Sequence, residues 1–192
     1  AAAHAQAGQY EEAVSDYQAV LKQNPDLPII KFELAGVYRV QGKLDAALKG
    51  FREILETYPD PARPLHEMVK IFVEMKQYEK AIGLCDDYLD KHPKDLPVSL
   101  IKTTVLLTQK RYAAAKELLS ELISDNPESE LPLTMMAKAA VFQRDYDTAL
   151  DMYRRIIGLN AQNFPAYLQM AHIHRARGDV EKAIDTYEQL LT

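Results

Sequence analysis

Two histidines set two residues apart, His172 and His174, are the nearest this chain comes to a metal pair, and Cys85 is its single thiol. Imidazole holds zinc when three or four ligands converge on one point. A cysteine becomes a nucleophile when its surroundings depress its pKa. Neither condition is met. Residues two apart on a helix do not face each other, so His172 and His174 cannot share an ion. His4, His66 and His92 lie far from them along the chain. The acidic doublets Glu11-Glu12 and Asp86-Asp87 sit in amphipathic helical stretches, where they read as solvated faces rather than as opposed acid and base. The 7 glycines occur singly, so no glycine-rich loop is available to cradle a phosphate. The expectation is a chain with no catalytic residues, no metal and no cofactor.

The elements that would position any functional residue follow a fixed period of 34 residues. A turn position reads Gly8, Gly42, Lys76, Lys110, Arg144, Gly178. Two residues on, an apolar residue returns: Tyr10, Leu44, Tyr78, Tyr112, Tyr146, Val180. Then comes alanine each time, at Ala13, Ala47, Ala81, Ala115, Ala149 and Ala183, followed four later by Tyr17, Phe51, Cys85, Leu119, Tyr153, Tyr187. A closing proline stands at Pro25, Pro59, Pro93 and Pro127, with Ala161 the exception. No insertion breaks the register. Steps of four and three, as in Ala47, Phe51, Ile54, place residues on one helical face. Leu34, Ala35 and Tyr38 make the matching face on a preceding helix. Proline ends each unit, and a second one (Pro28, Pro61, Pro64, Pro97, Pro132, Pro165) suits the first turn of the next helix. The spacing predicts two short helices per unit. The replaced glycines Lys76, Lys110 and Arg144 must avoid or tolerate a left-handed turn. Cys85, standing where other units have Tyr17, Phe51 and Leu119, reads as a small buried hydrophobe. His4 and His174, at the position of Tyr38 and Phe72, read as packed or half-packed side chains.

Composition agrees. Of 192 residues, 47% are hydrophobic and 27% charged, with no Trp, and the helix formers are plentiful. A net charge of −5 without basic runs argues against nucleic acid as a ligand. One cysteine excludes an intrachain disulfide. No apolar run reaches the roughly 18–20 residues that span a bilayer.

A recurring 34-residue unit of this pattern is the signature of a repeat array, and the whole chain resembles the tetratricopeptide repeat family. The resemblance implies an all-α fold, a right-handed superhelical solenoid of antiparallel helix pairs. Its units are 28–61, 62–95, 96–129 and 130–163, with partial units at 1–27 and 164–192. Lys102 and Ala140 occupy positions the family usually fills with larger or apolar residues. Neither end carries a polar capping element of the kind arrays use. The expectation is a segment of a longer array, or one whose ends dock elsewhere, end-to-end self-association included.

The resemblance also implies where a ligand would lie. In the family the first helix of each unit lines a concave surface, through its second, fifth, ninth, twelfth and thirteenth positions. The peptide-binding groove expected here comprises Phe32, Arg39, Arg63, His66, Lys70, Leu100, Thr104, Leu107, Leu131, Lys138, Phe142, His172 and Arg175. Gly36 and Thr134 stand in the same register. The first-helix windows hold seven Lys or Arg and three Glu, a surplus of four positive charges that leaves the remainder at −9. The expected partner is a protein or peptide segment with apolar anchors and some acidic residues. The family's chaperone-tail receptors use Lys at the fifth and Asn at the ninth position of one unit, and no unit here has that pair. The alternative is a structural spacer in a larger assembly, of the kind found in bacterial envelope proteins, touching partners through its ends or convex face.

Overall fold

The computed structural model describes residues 1–189. Among these, every regular element is an α-helix: α1 (Ala2–Gln6), α2 (Tyr10–Gln23), α3 (Pro28–Val40), α4 (Leu44–Ile54), α5 (Ala62–Glu74), α6 (Tyr78–Leu89), α7 (Leu96–Thr108), α8 (Tyr112–Asp125), α9 (Glu130–Phe142), α10 (Tyr146–Leu159), α11 (Phe164–Arg177) and α12 (Val180–Gln189). Each second helix starts at the apolar residue two past the turn, as the period requires. The chain forms two compact units, Ala1–Val105 and Leu106–Thr192, whose boundary falls within α7.

The turn inside each pair is built identically six times. The residue at the turn donates its N–H three residues back, as in Gly42 to Arg39 at 3.0 Å and Lys76 to Val73 at 3.0 Å. The next residue reaches five back, as in Lys43 to Tyr38 at 2.9 Å and Gln77 to Phe72 at 2.7 Å. This is the hydrogen-bond pattern of a helix closed by a left-handed residue. Gly8, Gly42 and Gly178 adopt it at φ of 76°, 74° and 85°. Lys76, Lys110 and Arg144 adopt it too, at 58°, 58° and 60°. The three non-glycine turns therefore tolerate the left-handed conformation rather than avoid it.

The alanine that stands fourth in each second helix is buried in all six pairs. A methyl group is all that the facing helix leaves room for. Between α3 and α4 the approach is closer still, since a Cβ on Gly50 would stand 2.9 Å from that of Ala35. In the first unit the core gathers Ala35, Ala47, Phe51, Ile54, Tyr58, Met68 and Ile71. In the second it gathers Leu119, Leu133, Ala137, Ala149, Tyr153, Ile156 and Ile173, among others. Two second helices are cut short, α6 at Leu89 by two residues and α4 by more. α4 stops at Ile54, three residues before the equivalent ends of α2, α8 and α10. Where those carry Asn24, Asn126 and Asn160 as C-caps, this unit has Tyr58, which turns inward and stacks on Phe32 with ring centroids 4.9 Å apart.

Candidate functional site

In the first unit, the expected groove residues of α3 and α5 come together. Phe32, Gly36, Arg63, His66 and Glu67 surround a recess of about 230 Å³ floored by Phe51. Phe32 is half-buried and meets the Phe51 ring edge-on at 5.2 Å. The Arg63 guanidinium lies over the Phe32 ring at 5.2 Å and near the Tyr58 ring at 5.9 Å. Arg39 is not a free cation. It donates to Glu67 at 2.8 Å and to Glu74. Lys70 pairs with the same Glu67 at 2.8 Å. His66 faces solvent, yet loss of water around its ring, reinforced by Lys70, lowers its pKa below the usual 6.5. Further along, Leu100 is half-buried, and exposed Thr104 donates its hydroxyl to the Leu100 carbonyl at 2.9 Å. Lys102 turns away to α6, where it pairs with Asp86 at 2.7 Å.

In the second unit, Leu131, Lys138 and Phe142 follow one another on α9 at steps of seven and four, which puts them on one face. Leu131 is 61% exposed and Phe142 76%. Lys138 beside them is exposed as well. Leu168, His172 and Arg175 form the equivalent exposed face of α11. Leu107 is half-buried. Among the described residues Arg63, Lys138 and Arg175 make no ion pair. Of the seven cations in the first-helix windows, Arg39, Lys70 and Lys102 are neutralised by neighbouring carboxylates, which leaves these three and Lys31 on α3.

His172 and His174 diverge. His172 is exposed, whereas His174 is buried between α10 and α12 with its Nδ1 unbonded. Sequence reasoning placed His174 as a packed residue but could not show the orphaned nitrogen, which depends on the neighbouring helices. The groups facing it are Asp179, with Oδ2 3.8 Å from Nδ1, and the cations Lys182, Arg154 and Arg177. Burial lowers its pKa, and Asp179 opposes this only in part. Its folded-state pKa lies below the unfolded value, so the unfolded chain takes up the proton first as pH falls. The stability is whole above about pH 6.5 and declines below it. Replacing His174 with Leu, the residue at the equivalent Leu106, is expected to reduce the drop in thermal midpoint between pH 7 and pH 5. Equal drops in both proteins would contradict this.

Cys85 is fully buried and its thiol pKa is pushed up to about 12, by burial first and then by Asp86. It is inert at neutral pH, as its repeat position suggests. No cluster of three or more His, Cys, Asp or Glu suited to a metal occurs among the described residues. No described helix is long and apolar enough to cross a membrane.

The sequence profile described as tetratricopeptide repeat matches residues 4–69, 72–139 and 140–192. No curated protein matches significantly. Among solved structures, PilW, a type IV pilus biogenesis factor, aligns over 97% of this chain and 87% of its own, at 17% identity and a TM-score of 0.69. PilF of Pseudomonas aeruginosa aligns over 98% and 86%, at 23% identity and 0.64. MamA from Desulfovibrio magneticus RS-1 aligns over 86% and 94%, at 16% identity and 0.65. At these identities the likeness is one of fold.

Proposed function

Because the chain belongs to the tetratricopeptide repeat family, we propose that it is a non-catalytic scaffold that holds an extended or helical segment of another protein against the faces of its first helices. The observation that carries this reading is the α9 face. Leu131 and Phe142 are large apolar side chains left in water on one side of a helix whose other side is fully packed. Single exposed hydrophobics are ordinary, but an aligned pair flanking an unpaired Lys138 offers two apolar anchors and one charge to a passing chain. Covering it would gain about 25 cal/mol per Å² of apolar surface removed from water. Arg175 on α11 adds a second unpaired cation on the first helices of that unit. A partner with apolar anchors and acidic residues fits these features, by the complementarity that governs encounter and register.

A selection of displayed peptides on the intact chain tests the proposal. Peptides enriched on the natural chain should bind the Phe142→Asp variant at least about 30-fold more weakly, the scale of an aromatic hot spot. The far-ultraviolet helical signal should not change, since the residue lies outside the core. Equal binding to both proteins would remove the α9 face from consideration.

One observation favours contact through the last helix as a second reading. Ile184 on α12 is 51% exposed, whereas Leu150 and Ile82 at the same repeat position are buried, and Val180 one turn before it is exposed too. Concentration-dependent association abolished by Ile184→Lys, with peptide binding intact, would support that reading.

A further inference from the structure

We infer that the recess between α3 and α5 is a specificity pocket for the acidic side chain of a bound peptide, with Arg63 as its anchor. This rests on the scaffold reading and adds to it the chemistry of one ligand residue.

The size of the recess decides what kind of ligand it takes. At about 230 Å³ it falls short of the roughly 300–1,000 Å³ of small-molecule sites, and suits one side chain. The space exists because α3 carries glycine at position 36. A Cβ there would touch nothing within 4 Å, in contrast to Gly50, where packing forbids one. Nothing in the fold requires Gly36 to lack a side chain, and a glycine inside a helix lowers stability by up to about 1 kcal/mol relative to alanine. Its absent side chain opens the recess to solvent above the Phe32 and Phe51 rings.

Charge decides which side chain. The cluster holds Arg39, Lys70 and Arg63 against Glu67 and Glu74. Arg39 and Lys70 are consumed by the two carboxylates, which leaves one positive charge, on Arg63. Its guanidinium carbon lies over the Phe32 ring at 5.2 Å and over the Tyr58 ring at 5.9 Å, within cation–π range. The two rings draw the cation to the recess, and no carboxylate among the described residues pairs with it, so its N–H groups are available to one from a ligand. A guanidinium positioned in advance loses little freedom when it binds, and its fork matches a carboxylate with two parallel hydrogen bonds. Glu67 on the rim is already neutralised, so it does not repel the incoming anion. A glutamate fits both parts: methylenes over the aromatic floor, carboxylate on Arg63.

The test uses peptides selected by display on the intact chain, each remade with Glu→Gln at every acidic position and with a free or amidated C-terminus. One Glu or Asp should prove essential. Arg63→Gln and Gly36→Leu should each weaken binding roughly tenfold or more, the scale of a lost charge-assisted pair. Gly36→Leu fills the recess while raising helix propensity, and an unchanged far-ultraviolet helical signal and thermal midpoint separate its effect from unfolding. Arg63→Lys should rescue only partly, because lysine neither stacks nor forks. Binding that ignores both substitutions while remaining sensitive to Phe142→Asp would overturn the pocket and leave the scaffold standing. Loss on amidation with indifference to every Glu→Gln would assign Arg63 to a chain terminus and overturn the side-chain assignment. Failure to select any peptide would overturn both.

Discussion

Replacing Phe51 with Ala should cost the first unit about 3–5 kcal/mol, the scale of an emptied aromatic site in a packed core. Phe51 is completely buried, contacts Phe32 edge-on, and fills the space between α3, α4 and α5. Two features make this site severe. Ala35 and Ala47 flank it with nothing longer than a methyl group, so neither can refill the void. Beyond the end of α4, Tyr58 packs against Phe32, whose other partner is Phe51. Urea denaturation followed by helical signal measures the loss. Since repeat arrays unfold as coupled neighbours rather than in one step, the transition of the first unit should move and separate from that of the second. Cys85 stands at the same repeat position, and Cys85→Ala removes far less volume. It should cost well under half as much. A Phe51→Ala loss below about 1 kcal/mol would mean that the cavity collapses, contrary to the packing described.

Three glycines placed together, at Lys76, Lys110 and Arg144, should stabilise the chain by about 2 kcal/mol in sum. A side chain in the left-handed region costs roughly 1–2 kcal/mol, and part of the gain from removing it is returned as greater freedom in the unfolded state. The net is ~0.5–1 kcal/mol per site. The sites are a full repeat apart and share no partner, so their effects should add. For a domain of this size the thermal midpoint should rise by roughly 4–8 °C. Alanine at the same three positions is the control. It removes the same charges and keeps the Cβ, so it should give no gain. Equal stabilisation by alanine and glycine would trace the effect to charge rather than to φ.

Much of the fold is legible in the sequence because its determinants are local. The starts of the second helices, the buried alanines and the turn positions are each set within one hairpin, and a constant interval exposes them by repetition. The left-handed Lys76, Lys110 and Arg144 show the strength of that frame: six turns adopt one conformation although three lack the residue that favours it. The early end of α4 was not legible: no helix-breaking residue stands at Leu55, and the contact of Tyr58 with Phe32 is made across the pair.

The exposure of the candidate surface was legible in the sequence, but its charge was not. Exposed Leu131, Lys138, Phe142, His172 and Arg175 stand where the register puts them. Arg39, Lys70 and Lys102 are indistinguishable in the sequence from Arg63 and Lys138. Their carboxylate partners lie on other turns or other helices, at Glu67, Glu74 and Asp86, and only the packed arrangement shows which cations are spent. The position of Arg63 over two aromatic rings is likewise a property of the assembled hairpins. His174 gave a weaker signal: a histidine at a position of packed residues predicts burial, but the unbonded Nδ1 requires the helices on both sides.

The central claim, that partners are held by the first helix of each pair, is tested most directly by amide hydrogen exchange on the intact chain with and without a saturating selected peptide. Added protection should concentrate in α3, α5, α9 and α11, centred on Arg63 and on the segment from Leu131 to Phe142. Protection concentrated instead in α4, α6, α8, α10 or α12, with those segments unchanged, would contradict it.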